Sequence, residues 1–213
     1  MSSAGITALR SICSRKDRGV ALPESRSSVL QVVGCLADRE AAVTVRELAR
    51  TDGAAVGSVI AGLSPQSRCL RFHTGVGQVR AWMREALADV DGDSRVGVVA
   101  EVATATGSAA IGMAHLYRVD ELRAEVAVAV VDAWHRRGVG RRLLEALRER
   151  AVELGYHEVV ARVLPNNGAV LSLAHRKFPG LLSQPRGDVV ELRYPLGAVK
   201  EWEDEFLSSL KCR

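Results

Sequence analysis

Lysine is scarce in this chain of 213 residues: only four of its 29 basic residues are lysine, and the rest are arginine. The arginines are spread along the chain and mixed with acids, which is a compositional bias and not the footprint of a nucleic-acid surface. A formal charge of +4 and a sequence pI near 9.1 therefore leave nucleic acid out of the expected partners. Cysteine is equally sparse. Cys13, Cys35, Cys69 and Cys212 lie far apart, with neither the spacing of a metal site nor that of a disulfide framework. They read as thiols in a reducing compartment, and no metal is expected. No apolar run approaches the roughly 18 residues of a membrane span. The N-terminus lacks the apolar core and small-residue site of a secretory signal. The expectation is a soluble, cytoplasmic protein without a membrane partner, its oligomeric state open between monomer and dimer.

What is present is enough apolar material for a core, 47% of the residues. Residues 1–40 form the least patterned part, and the spacing from Val29 to Leu36 predicts one short helix docked on an otherwise loose arm. Val43–Leu48 alternates like a half-buried strand. Asp52 then stands where it can cap a helix through Leu63, and Ser64-Pro65 is a second helix start. A further helix is expected over 79–90, and strands over 95–102 and 108–117 with a Thr-Ala-Thr-Gly turn between them. Val126, Val128 and Val130 alternate with Glu125, Ala127 and Ala129, which is a strand with one bulky and one small face. From Val139 the period changes to that of a helix, ending near Gly155. Strands over 159–164 and 188–194 flank a helix capped by Asn166 or Asn167. Residues 198–211 suit an amphipathic terminal helix around Trp202, Phe206 and Leu210.

The strand, glycine turn and helix start at residues 126–147 carry chemistry. Gly138 and Gly140 are crowded by Arg136, Arg137, Arg141 and Arg142. Cations in the first turn of a helix cost about 0.3–1 kcal/mol each against the helix dipole. An anion bound to the free N–H groups of that turn turns the same arginines into charge-assisted partners. Two phosphate-binding turns do not fit. A dinucleotide fold wants a third glycine where Leu143 stands, and a kinase-type P-loop wants Lys-Ser/Thr where Arg141-Arg142 stands.

His135-Arg136-Arg137-Gly138-Val139-Gly140 resembles the Gln/Arg-x-x-Gly-x-Gly/Ala signature of the GNAT (GCN5-related) N-acetyltransferases, with His135 departing at the first position. The resemblance extends through Glu125-Val126-Ala127 before the motif, and through Leu164-Pro165-Asn166-Asn167 and Ala169–Leu173 after it. Leu63-Ser64-Pro65-Gln66-Ser67-Arg68-Cys69-Leu70-Arg71-Phe72 is similar to a segment of bacterial GNAT domains of the protein-lysine acetyltransferase type. The implied fold is α/β (α+β), a single GNAT domain over residues 41–196. It has a mixed central sheet of about six or seven strands, the fourth and fifth splayed, flanked by four or more helices. An N-terminal arm (1–40) and a C-terminal helix or tail (197–213) would lie outside it.

The resemblance also implies functions for individual residues. Acetyl-CoA is the implied acyl donor, with acetyl against longer acyl groups left open, and the acceptor is a lysine amine of a protein substrate. Backbone around Ala129, Val130 and Val131 would bind pantetheine. Backbone N–H groups from Arg137 through Gly138, Val139, Gly140 and Arg141 to Arg142, with the Arg136 side chain beside them, would hold the pyrophosphate. Asn167 would contact the cofactor, or else be a plain helix cap. Glu125 is the implied general base, against the alternative of an edge glutamate paired with a surface arginine. The family's frequent general acid, a tyrosine on the helix after the fifth strand, falls at Ala174 and is absent. His73, His115 and His157 read as surface or packed residues, and Asp132 as a turn residue. Two alternatives stand: a small-amine acetyltransferase, and an acyl-CoA-binding sensor module with weak catalysis.

Overall fold

The alternating stretch around Val126–Val130 forms the strand on which the molecule is organised. The structure is a computed structural model, and it describes residues 42–73 and 80–197. The arm of residues 1–40, Val79 and the terminal helix expected over 198–211 lie outside the described residues. Strands β1 (Val43–Glu47), β2 (Arg95–Thr104), β3 (Gly107–Arg118) and β4 (Arg123–Val130) make the antiparallel half of one sheet. Strand β5 (Glu158–Val163) pairs with β4 in parallel, and β6 (Leu182–Arg186) and β7 (Val189–Pro195) complete the order β1-β2-β3-β4-β5-β7-β6. Helices α1 (Gly53–Ala61), α2 (Pro65–Phe72) and α3 (Ala81–Ala88) precede β2. Helix α4 (Val139–Glu153) links β4 to β5, and α5 (Gly168–Lys177) links β5 to β6. Among the described residues, a sheet of seven strands with five α-helices is the mixed α/β architecture expected of the sequence.

Period two divides the side chains between the two faces of the sheet. On β3, a Cβ built at Gly112 would stand 3.0 Å from Leu143 Cδ1 and 3.3 Å from Val139 Cγ1, so the even-numbered positions face α4. His115 points the other way, its Nε2 donating to the Leu87 carbonyl of α3 at 2.9 Å. Register carries this division to β4. Gly112 pairs with Val130 and Tyr117 with Glu125, so Val126, Val128 and Val130 face α4 while Glu125, Ala127 and Ala129 face the α1–α3 layer. Glycine at 112 is what lets α4 seat this closely, through Val139, Leu143, Leu147 and Ala151, all buried. Each buried leucine there contributes about 1.5–3 kcal/mol.

Local signals behave as their chemistry requires, with two exceptions. Ser64 accepts from the Ser67 amide at 3.1 Å and Pro65 opens α2. Gly155 takes the left-handed conformation, φ 79°, after α4. Asp52, however, does not cap α1 with its side chain. Its carboxylate accepts from Arg46 at 2.7 Å and from the Ala49 amide at 2.7 Å, because a doubly donating guanidinium on β1 outcompetes a single helix amide. The second exception is β6, which no alternation announces. All five of its residues are exposed and one is Pro185, tolerable because β6 is the sheet edge.

Candidate active site at the parting of strands four and five

Strands β4 and β5 pair only from Arg123–Glu125 against Glu158–Val160. β4 runs on to Val130 and β5 to Val163 without further pairing, so the two separate. The separation opens a cleft whose walls are aliphatic: Val126 and Val128 from β4, Val159, Ala161 and Val163 from β5, Leu144 and Leu147 from α4, Val170, Leu173 and Ala174 from α5. The cleft passes through the sheet, because Leu70, Arg71 and Ala127 line it on the α2 side. Polar contributions come from Arg71, Arg148, Asn167 and Tyr194. Strand edges left unpaired carry free amides and carbonyls, so this cleft joins apolar walls to a row of hydrogen-bonding groups.

The glycine turn lies at one end of the cleft. Arg136 and Gly138 both have left-handed backbones, φ 61° and 78°, and Gly138 is the residue before α4. Such turns aim successive amides into one concavity, which suits an anion. The amides of Val139, Gly140 and Arg141, at the start of α4, have no partner within the helix. The Arg142 amide, in contrast, donates to the Gly138 carbonyl at 3.1 Å, so the expected run of ligand amides ends at Arg141. The two glycines serve different ends. Gly138 is required by its φ, and nothing would touch a Cβ there. Gly140 sits in the helix with ordinary space around it: a Cβ would meet Val130 Cγ2 at 3.7 Å and Leu173 Cδ2 at 4.0 Å. No protein atom therefore demands glycine at 140. A bare backbone there keeps open a cradle that a methyl group would fill, as an anionic ligand seated on the amides requires.

The arginine side chains divide. Arg136 and Arg137 are exposed, and the Arg137 guanidinium lies 4.9 Å from the centroid of the Trp134 ring. Arg141 pairs with Glu145 at 3.0 Å, and Arg142 Nη1 donates to the Val43 carbonyl at 2.8 Å. His135, at the odd position of the motif, uses its ring to donate to the Val130 carbonyl at 2.8 Å. The Val131 amide donates to the Ile111 carbonyl at 2.9 Å, and Ala129 is buried. The backbone expected for a ligand at Ala129–Val131 is thus partly occupied, and the β4 residues that line the cleft are Val126–Val128. The His135 ring closes the β4 edge at the Val130 carbonyl, ahead of the turn.

Glu125 sits where the strands part. It is only 3% exposed and accepts from Arg162 Nη1 at 3.0 Å. Burial raises its pKa above the ordinary carboxylate value; Arg162 and then Arg71 pull against this without cancelling it. Register puts Val160, and with it Arg162, on the same face as Glu125 and Tyr117. Asn167 lines the cleft and also caps α5, its Oδ1 accepting from the Val170 amide at 3.3 Å, which leaves its NH2 free of that bond. Ala174 is buried in the cleft wall at the position expected for a tyrosine. His115 is a core residue, its pKa pulled down to about 3 by burial and then by the Arg71 charge. His157 is exposed, and His73 ends α2 with a φ of 56°. Asp132 accepts from the Ser64 amide at 3.2 Å, tying the α1–α2 junction to the end of β4.

Sequence reading missed Arg71, Arg148, Arg162 and Tyr194 in this region. Tyr194 stands in the β7 alternation with Leu192 and meets Phe178 edge-on at 5.1 Å. Arg162 is a charge inside the aliphatic run Val159–Val163, and that was the available signal. Arg148 lies beside the buried stripe of α4, one residue after Leu147, and looks like a solvated position.

The comparisons with known proteins agree with this geometry. A family model described as "Acetyltransferase (GNAT) domain" matches residues 42–176. Comparison with curated protein sequences gives no match. Among solved structures, the GNAT domain of S. lividans PAT is 26% identical with a TM-score of 0.65, covering 72% of this chain and 90% of that one. A putative acetyltransferase from Salmonella typhimurium, solved with its cofactor acetyl-CoA, is 22% identical with a TM-score of 0.54, covering 73% and 94%. A phosphinothricin acetyltransferase from Sinorhizobium meliloti in complex with acetyl-CoA is 19% identical with a TM-score of 0.58, covering 73% and 89%. The profile match spans more than half of the sequence, and the parted strands with their glycine turn supply the structural counterpart. The chain belongs to the GNAT family of acetyltransferases.

Proposed function

We propose that the protein is an acetyl-CoA-dependent N-acetyltransferase acting on a lysine amine of a protein, with Glu125 as general base. The observation that carries the donor is the Gly140 cradle at the head of a cleft open on both faces of the sheet. The acceptor class rests on the Leu63–Phe72 segment and on the likeness to the GNAT domain of S. lividans PAT. When bound, acetyl-CoA supplies a thioester whose acyl carbon is open to attack by an amine.

The residues divide the work along the cleft. Amides from Gly138 to Arg141, with Arg136 and Arg137 above them, hold the pyrophosphate. The free edge of β4 at Val126–Val128 bonds the pantetheine amides, and the walls from α4 and α5 keep water from them. Asn167 offers its NH2 to the same chain. Glu125 takes the proton that a lysine ammonium, with an ordinary pKa near 10.4, must lose before its nitrogen forms the new C–N bond. The C–S bond would break as that bond forms; the nitrogen would give its second proton to water and the thiolate would take one from water, because Ala174 provides none.

The test is to incubate the protein with isotope-labelled acetyl-CoA and a lysate, and to identify modified lysines by mass spectrometry. Labelled lysines that depend on the protein are expected. Tight acetyl-CoA binding with no transfer to any amine would overturn the catalytic reading in favour of a sensor module, which Ala174 and the Glu125–Arg162 pairing favour.

A further inference from the structure

One arginine of the cleft has buried nitrogens and no ion pair among the described residues. Arg71, from α2, lines the cleft beside Leu70 and Ala127 on the face away from α4. Its Nε and Nη2 are shut off from solvent and have no hydrogen-bond partner. Its guanidinium lies 5.1 Å from the centroid of the neighbouring Phe72 ring and within electrostatic reach of Tyr117, His115 and Glu125. None of these balances it. His115 is neutral in the core, and Tyr117 is neutral, held above its ordinary pKa by burial. Asp89, which acts on Tyr117 from further out, is paired with Arg95. Glu125 is bonded to Arg162, and Glu191, paired in register with Arg162, faces Arg186 at 3.9 Å. Glu125 thus meets two guanidinium groups, bonds only that of Arg162, and has Glu191 as the second carboxylate in its surroundings, which leaves Arg71 without a bonded anion among the described residues.

Two guanidinium nitrogens withdrawn from water without acceptors are destabilising, and buried charges are as a rule paired, so two unpaired donors facing a cleft fit an anionic ligand. The guanidinium fork matches a carboxylate in two parallel bonds. We propose that Arg71 is a carboxylate-binding subsite at the acyl-transfer end of the cleft, and that one substrate carries the carboxylate. The carboxylate has two sources: the far end of a dicarboxylic acyl group on the donor, or an acidic side chain next to the acceptor lysine. This inference rests on the acyl-CoA reading of the cleft.

The experiment has two arms on the full chain. In the donor arm, calorimetry compares succinyl-CoA with butyryl-CoA, which have equally long acyl chains and differ by the carboxylate. In the acceptor arm, CoA release from acetyl-CoA is followed with two peptides that carry Glu or Gln beside the same lysine. A preference of about tenfold or more for the charged member of one pair is expected, from a charge-assisted bond in a desolvated site. Arg71→Gln abolishes the preference, and Arg71→Lys keeps part of it, having the charge without the fork. If the wild-type protein distinguishes neither pair, the proposal is overturned, whether or not the variants fold. It is also overturned if Arg71→Gln lowers the Tm but leaves the preference in place, which is how a structural arginine would behave. Failure to bind any acyl-CoA would instead sink the donor reading, and this proposal with it; binding of butyryl-CoA without discrimination sinks this proposal alone.

Discussion

Replacing Gly140 with alanine separates the needs of the fold from those of the ligand. The added methyl would stand 3.7 Å from Val130 Cγ2 and 4.0 Å from Leu173 Cδ2, which is ordinary contact. The residue lies in the first turn of α4, where alanine is preferred to glycine by up to about 1 kcal/mol. On protein grounds alone Gly140→Ala is therefore neutral or stabilising, with a Tm unchanged or raised by a few degrees. A pyrophosphate seated on the amides from Gly138 to Arg141 would meet that methyl. Losing one charge-assisted amide bond costs about 1.5–3 kcal/mol, or a loosening of CoA binding of roughly 10- to 100-fold. Thermal unfolding followed by circular dichroism and titration calorimetry with CoA measure the two effects on one sample. A variant that holds its Tm and binds CoA as the wild type does would refute the cradle. A fall in Tm of several degrees would show that glycine at 140 serves the packing of α4, contrary to the distances above.

Other expectations follow from the same geometry. Glu125→Gln keeps an acceptor for Arg162 and removes the proposed base, so kcat/KM for an amine acceptor is expected to fall by about 100-fold or more. In the wild type, activity is lost as pH falls through the Glu125 pKa, which lies above the ordinary value of 4.5. A glutamine variant with an unchanged pH–rate profile would remove Glu125 from that function. His115 affects stability instead: buried and neutral, with a folded pKa of about 3, it takes no proton where the unfolded chain does. Its contribution is present above the unfolded pKa near 6.5 and is lost as pH falls, by about 2 kcal/mol between pH 7 and pH 5. His115→Gln should flatten that slope in urea melts, and an identical slope in both proteins would contradict it. Asn167→Asp retains the cap on the Val170 amide while losing the NH2 donors, so the Tm is kept and CoA affinity drops severalfold. Unchanged affinity would make Asn167 a cap alone.

What could be read from the sequence was local in the chain. The strand with alternating valines, the glycine turn and the leucine stripe of α4 are neighbours along it, and their periods of two and 3.6 state their faces directly. Ser64-Pro65 and Asn167 are legible for the same reason, since a cap is a contact over three residues. Asp52 misled because its stronger partner, Arg46, stands on another element. Strand β6 was invisible because an exposed edge needs no alternation and admits proline.

The donor and acceptor sides of the cleft differ in the same way. The donor side is built from one strand–turn–helix unit, so one motif identifies it. The acceptor side is built from α2, β3, β4 and β5, with Arg71, Tyr117, Glu125 and Arg162 brought together by strand register and by the packing of α2 across the sheet. No spacing in the sequence encodes that meeting: Glu125 stands out only through the family resemblance, and Arg71, Tyr117 and Arg162 alone read as ordinary surface charges or strand residues. The surplus of buried donors becomes visible only when the four are on one face, and the proposed choice of substrate rests on it. Donor binding can therefore be argued from a short stretch of sequence, whereas an argument about the acceptor has to wait for the side chains that the register superimposes. A substitution at Arg71 should consequently change what is acylated, or with which acyl group, while the CoA cradle at Gly140 remains intact.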